Sequence, residues 1–254
     1  ERKEEKREEG ENFLRMERSY GSFYRSIPLP ENAKADAITI AEEWGDASRF
    51  ILGDQLDSTM NYRFRNAVIG VLREEGSDWV DTNSTIRALS LTEFDSVMHG
   101  IEEDYPPEAF YAMMNLVGSH DVNRVLIPLD QDGDPTDEDY SDGKMRQKML
   151  VLIQMTMPGA PTVFYGDEVA LTGDDDPDDR RTYPWADKGG NPDMEMFAHY
   201  QTLATLRQDN NALTHGDLMM LLADDIAETV AYGRKTTEQA AIVVINRSGQ
   251  ATTV

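Results

Sequence analysis

The stretch Asn115-Leu-Val-Gly-Ser-His120-Asp121-Val-Asn-Arg124 limits the possible folds more than any other part of the chain. An apolar run over residues 111–117 stops abruptly in small and polar residues and delivers an adjacent His and Asp. A buried parallel strand behaves this way at its C-terminal end, where (β/α) barrels place their reacting groups. The surrounding pattern agrees. From Asp36 onward, strand-like and helix-like segments alternate, which predicts an α/β fold. Residues 37–41 read as a short buried strand and residues 60–73 as a helix, with Phe64, Val68, Val71 and Leu72 near helical spacing. Another helix is expected over residues 92–103. Asp142 is the expected cap of a helix over residues 144–157, with Met145, Met149, Leu152 and Ile153 on its buried side. Asp193 should cap the next helix, to about residue 207, with Phe197, Tyr200 and Leu203 inward. Beyond Gly216 the pattern becomes strand-like over residues 218–223, 229–233 and 240–246.

Composition narrows the partners. The 48 acidic and 24 basic residues give a net charge of −24. A polyanion is repelled by such a surface, so neither nucleic acid nor an anionic membrane is an expected partner. The charge is compatible with a neutral ligand such as a sugar without pointing to one, and a salt-adapted source would relieve the self-repulsion by screening. The chain has no cysteine, which excludes disulfides and thiolate chemistry. No apolar run approaches membrane-spanning length and no signal peptide is visible, so the expected location is cytoplasmic or undetermined. The opening Glu-Arg-Lys-Glu-Glu, without an initiator Met, reads as an excerpt. There is no Gly-rich phosphate loop to support a nucleotide cofactor.

Three segments, in order, resemble the α-amylase superfamily, the family-13 glycoside hydrolases. Ala41-Glu42-Glu43-Trp44-Gly45-Asp46 resembles the region that holds the family's general acid, Ser119-His-Asp-Val-Asn-Arg124 its last signature region, and Pro158-Gly-Ala-Pro-Thr-Val-Phe-Tyr-Gly-Asp167-Glu168 its eighth barrel strand. The resemblance runs from about residue 36 to 254. It implies the second half of a (β/α)8 TIM barrel, strands five to eight, over residues 36–213. The opening of an all-β sandwich follows over residues 214–254.

The resemblance also implies chemistry. Retaining glycosidases flank the scissile bond with two carboxyl groups about 5 Å apart, one an acid/base and the other a nucleophile. Carried over, Glu42 is the general acid/base, which requires partial burial and neighbouring carboxylates to raise its pKa. Glu43 stands where the family has an apolar residue, so its charge needs a partner or solvent. Asp121 matches the family's third carboxylate and His120 the histidine that bonds sugar hydroxyls. Trp44 is an expected sugar contact, while Arg124 orients Asp121, touches sugar, or forms a plain surface ion pair. Asp174-Asp-Asp-Pro-Asp-Asp179-Arg180-Arg181-Thr-Tyr-Pro-Trp185 resembles a substrate-side loop of the neopullulanase and cyclomaltodextrinase branch, which makes Asp176, Arg180 and Trp185 candidate sugar contacts. Asp167 and Glu168 are expected to buttress the barrel. The implied partner is an α-1,4-linked glucan or maltooligosaccharide, with no organic cofactor and no metal.

Other features fit less well. Asp130-Gln-Asp132-Gly-Asp134-Pro135 fails as an EF-hand, because Pro135 takes the sixth position and Ser141 the twelfth, leaving only loose calcium binding open. His99, His199 and His215 lack metal-ligand spacing. The family's nucleophile lies in a Gly-x-Arg-x-Asp segment at the fourth strand. The only Arg-x-Asp here is Arg207-Gln-Asp209, late and at the end of an expected helix. The catalytic set is therefore incomplete, and a half-barrel would expose strand edges that favour self-association. Residues 1–35 differ in character. The run over residues 1–9 reads as a solvated charged segment. Arg18-Ser-Tyr-Gly-Ser-Phe23 resembles the middle of the α-crystallin domain of small heat-shock proteins, which implies an edge strand over residues 13–17 and a core strand over residues 19–29. That resemblance implies an oligomerisation module as the alternative function, and a sugar-binding remnant is a third.

Overall fold

The computed structural model describes residues 5–10, 13–18, 39–52, 55–80, 83–131 and 140–251, the first two segments as backbone only. The chain divides into two units, Glu1–Thr39 and Ile40–Val254.

In the first unit, β1 (Glu5–Gly10) pairs antiparallel with β2 (Phe13–Arg18). Residues 5–9, expected as a solvated charged segment, lie in a strand of this hairpin. The register explains this. It sets Glu5 opposite Arg18, Lys6 opposite Glu17 and Glu8 opposite Arg15, and opposite charges favour cross-strand pairing. The expected edge strand over residues 13–17 coincides with β2, whereas residues 19–29 lie outside the described residues.

The second unit is built on short parallel strands. β3 (Ile40–Ala41) pairs parallel with β4 (Ser58–Thr59). A parallel bridge from Met60 to Met114 joins β4 to the strand that follows it in space. β5 (Trp79–Val80) and β6 (Thr85–Ile86) form a small antiparallel pair in a connecting loop. β7 (Met114–Leu116) then pairs parallel with β8 (Ala160–Thr162). Helices fill the crossovers: α1 (Tyr62–Val71), α2 (Leu91–Asp104), α3 (Pro107–Phe110), α4 (Leu126–Leu129) and α5 (Ser141–Thr156). Parallel neighbours need such crossovers, and the helices cover one face of the strands.

α1 and α2 lie within two residues of their expected ends. Asn61 caps α1 by accepting the Phe64 N–H at 3.0 Å. Ser90 and Glu93 form a reciprocal capping box on α2. α5 departs from expectation at its start. Its cap is Tyr140, in the left-handed region at φ 53°, and Asp142 instead lies in the first turn and pairs with Arg146 one turn on. Met145 is 63% exposed, while Gln147 and Gln154 are buried. The reason is hydrogen bonding. Gln147 donates to the Asp167 carbonyl at 2.8 Å, and Gln154 to the carbonyls of Asn115 and Thr162, both at 3.0 Å. The inward face of α5 is therefore partly polar, and hydrophobic spacing alone misassigns it.

α6 (Met194–Gln208) starts at Asp193 as expected, with the carboxylate accepting the Met196 N–H at 2.9 Å. Asp209 is the C-terminal cap of that helix and not part of a strand. After α7 (Asn211–His215) come β9 (Asp217–Asp224), β10 (Thr229–Lys235) and β11 (Ala240–Asn246), an antiparallel sheet with β10 in the centre. Leu218, Val230, Tyr232, Val243 and Ile245 from this sheet join the same apolar core as Phe64, Phe94 and Ile153. The sheet is fastened to the helices by polar contacts as well. Tyr232 and Thr156 share a hydroxyl–hydroxyl hydrogen bond of 2.5 Å, and Arg234 donates to the Thr156 carbonyl at 2.6 Å. Asp225, in the turn after β9, accepts the Leu91 and Thr92 N–H groups at the start of α2, at 2.7 and 3.1 Å. No described helix is long and apolar enough to cross a membrane.

Candidate functional site

A buried amide ladder sets the relative height of the parallel strands. Asn61, just after β4, donates to the Asn115 side-chain oxygen at 3.0 Å, and Asn115 donates to the Pro158 carbonyl at 2.6 Å. Buried polar groups rarely go unpaired, so this ladder tolerates little slippage. The segments just after β3, β4 and β7 consequently meet at one end.

Glu42 directly follows β3 and is exposed, not partly buried as the acid/base role required. Glu43 accepts the Gly45 N–H at 3.2 Å, which supplies the partner its charge needed. Trp44 stacks on Tyr62 with centroids 4.0 Å apart and rings 9° from parallel. Tyr62 opens α1 and is 1% exposed. Its hydroxyl shares a 3.0 Å hydrogen bond with Ser119, whose Oγ also accepts the Asp121 N–H at 3.2 Å. Burial pushes the Tyr62 phenol up to about 12, against the Ser119 hydrogen bond, and the carboxylates of Glu42 and Asp121 both add to the rise. Two acids from separate strand ends therefore act on one buried hydroxyl.

His120 joins the cluster from the segment after β7, and Asp176 and Arg180 from the loop after β8. His120 Nε2 lies 3.5 Å from Asp121 Oδ2. Arg180 donates to the His120 carbonyl from Nε at 3.2 Å and Nη2 at 3.0 Å. Its Nη2 also lies 3.3 Å from Asp176 and 3.8 Å from Asp121. Asn83 donates to the Asp121 carbonyl at 2.7 Å, so both backbone groups of Asp121 are held while its side chain faces outward. His120, Asp121, Asp176 and Arg180 are thus brought together. Trp185 is 59% exposed and tilts against Tyr183, at 4.4 Å between centroids.

Arg124 differs from all three roles considered for it, since its side chain is fully buried. Its Nε donates to the Asp179 carbonyl at 2.6 Å, one Nη to the Tyr165 carbonyl, and the same nitrogen lies 3.3 Å from Asp167. The guanidinium also sits over the rings of Phe164 and Tyr165, at 4.1 and 4.5 Å. It pins the loop of residues 164–179 beneath the site, and neither solvent nor a ligand reaches it. Asp167 is fully buried against it. Burial raises its carboxyl to about 7, and Arg124 only partly offsets this. A Cβ at Gly118 would overlap Asp167 Oδ2, so the strand end needs glycine there. Sequence reading missed Tyr62, Ser119 and Asn83. Asn61 and Tyr62 fell inside the helix expected over residues 60–73, and the short strand β4 just before them was not foreseen, so nothing marked them as the end of a β-to-α unit.

Among the described residues, no group of three or more His, Asp or Glu side chains could hold a metal ion. Most of the acidic loop, residues 132–139, lies outside them. His99 and His199 contact backbone carbonyls at 3.0 Å, of Asp95 and Lys148, and His215 contacts Thr214 at 2.8 Å.

Comparison with known proteins gives a consistent picture. Residues 5–191 match the alpha-amylase catalytic domain, a range that includes the segment resembling α-crystallin. The chain is 37% identical over 228 residues to an amylopullulanase of Thermoanaerobacterium thermosulfurigenes, a match covering 85% of this chain and 12% of that protein. It superposes on a solved cyclomaltodextrinase with a TM-score of 0.67 and 33% identity, over 82% of this chain and 31% of that one. It also superposes on the cyclic alpha-maltosyl-(1→6)-maltose hydrolase of Arthrobacter globiformis, solved in complex with cyclic alpha-maltosyl-(1→6)-maltose. The TM-score there is 0.67 at 26% identity, covering 83% of this chain and 42% of that one. The chain therefore spans a third or less of the curated relative and cyclomaltodextrinase it matches.

Proposed function

The chain belongs to the alpha-amylase family, and from that premise we propose that the Glu42–Asp121–Arg180 cluster is the sugar-binding half of a retaining α-glucan site, drawn from strands five to eight of a (β/α)8 barrel. The observation that carries this is the link between the two strand ends through Tyr62, whose ring stacks on Trp44, two residues after Glu42, and whose hydroxyl bonds Ser119, the side chain that takes the Asp121 N–H. Glu42 would protonate the leaving oxygen and then activate water. Because Glu42 is exposed, a bound glucan must supply the burial this role needs. Asp121 and His120 would accept and donate hydrogen bonds to the hydroxyls of one glucose unit. Arg180 and Asp176 would grip an adjacent one, their planar groups matching vicinal hydroxyls. Trp44 and Trp185 offer aromatic faces for stacking. Similarity to a cyclomaltodextrinase favours α-1,4-linked maltooligosaccharides as the class bound.

Turnover is a separate matter. The Gly-x-Arg-x-Asp nucleophile segment is missing from this sequence, and losing a covalent-catalysis partner costs many powers of ten in rate. The expected behaviour is binding without hydrolysis. Titration calorimetry with maltotriose should give heat, and incubation with a chromogenic maltoside should give no colour. Colour that disappears in Glu42→Gln would show the catalytic set to be complete after all. A second reading, in which residues 1–35 drive assembly, rests on the α-crystallin resemblance of residues 18–23, since β2 pairs within the chain with β1. Size-exclusion chromatography with and without those residues separates the two, because an unchanged elution volume removes the assembly role.

A further inference from the structure

The two proposed acid groups sit on loops that do not touch through any shared strand pairing. β3 leads to Glu42 and β7 to Asp121, and β4 lies between them. Something must fix their spacing, because a glucose unit bound between them tolerates errors of a fraction of an ångström. Tyr62 is placed to do this. Its ring is held against Trp44, two residues after Glu42, in a near-parallel stack. Its hydroxyl is held by Ser119, the side chain that also takes the Asp121 N–H. Ser119 is itself buried, so solvent does not compete for this link. The base of the ring is fixed too, because Asn61 caps α1 and bonds Asn115 in β7.

We propose that Tyr62 is a positioning residue, whose ring and hydroxyl together set the distance between the Glu42 loop and the Asp121 loop. This rests on the sugar-site reading above and deepens it. Tyr62 contacts no sugar. It acts through Trp44 on one side and Ser119 on the other. Phenylalanine would keep the stack and lose the tether, so the two halves of the link can be tested separately.

The experiment is maltotriose calorimetry on the full chain, comparing wild type with Tyr62→Phe, Ser119→Ala and the double variant. Tyr232→Phe is the control, since it deletes a buried phenol hydroxyl from the core, away from the site. Each site variant should weaken maltotriose about tenfold, Ser119→Ala somewhat more because it also frees the Asp121 N–H, and the double variant should be no weaker than Ser119→Ala alone, because Tyr62→Phe removes only the tether that Ser119→Ala has already cut. Tyr232→Phe should stay within about twofold of wild type even if its melting temperature falls as far. A general loss of stability would move all four variants alike and would not give non-additive losses confined to Tyr62 and Ser119. Unchanged affinity in Tyr62→Phe, or losses that add in the double variant, would overturn the positioning role alone. A folded wild type that takes up no maltotriose would bring down the sugar-site reading and this inference together.

Discussion

Asp167 carries a charge that its surroundings resist. It is fully buried, and the nearby Arg124 guanidinium does not fully repay the lost hydration. With its folded-state value raised from 3.8 to about 7, the folded protein keeps a proton that the unfolded chain has released. Folding stability from this group is therefore full below the unfolded value and is lost as pH rises toward 7. Asp167→Asn cannot titrate. Urea denaturation at pH 5 and pH 8 should show the stability difference moving in favour of the variant as pH rises, and movement the other way would mean Asp167 is ionised throughout. At the mouth of the site, Arg180 has the opposite character, with half-open access and four polar partners, His120, Asp121, Asp176 and Asp179. Arg180→Ala should weaken maltotriose about tenfold or more while leaving the melting temperature nearly unchanged, because a half-exposed ion pair contributes little to folding. At this scale the sequence was legible where chemistry is local. An adjacent His and Asp at the end of an apolar run announce themselves. Tyr62 and Ser119 do not, because 57 residues separate partners that share a hydrogen bond. Arg124 was visible as a polar residue in a motif, but its burial depends on where the loop of residues 164–179 lands.

Elements were legible in proportion to how far periodicity alone decides them. α1 and α6 follow their hydrophobic spacing and start at capping side chains that can be read directly. α5 was misjudged because Gln147 and Gln154 take inward positions that spacing assigns to apolar residues. The short parallel strands, two or three residues long, are weaker signals than the helices between them. α2 illustrates how a distant residue completes an element. Its capping box satisfies two groups locally, and Asp225 takes the next two N–H donors from a turn 134 residues away. The Thr92 hydroxyl, which donates at 2.6 Å, and then these two N–H groups hold the Asp225 carboxyl below the usual carboxylate range. Asp225→Ala should cost about 1 kcal/mol or somewhat less, given its exposure. That contribution should shrink once pH falls below the ordinary carboxylate value and vanish only below the lower folded-state value, where the group is protonated in both states. Chemical denaturation at pH 7 and pH 3 checks both statements, and an equal cost at the two values would rule out capping by the charged form.

The molecule as a whole carries a net charge of −24, and like charges at this density oppose compaction. Raising sodium chloride from about 0.05 to 1 M shortens the screening length to a few ångströms and should raise the melting temperature, followed by calorimetry. A flat response would mean that the surface acids are already paired locally. The charge imbalance was plain from composition. The merging of the C-terminal sheet with the barrel portion was not, because Leu218, Tyr232 and Ile245 read equally well as the core of a separate sandwich. The Thr156–Tyr232 hydrogen bond and the grip of Arg234 on the Thr156 carbonyl lie across that join. Their consequence bears on inheritance. A foreign sheet grafted over residues 217–246 would keep this seam only if it brought its own phenol and guanidinium to Thr156, so those two side chains set where such a graft can succeed.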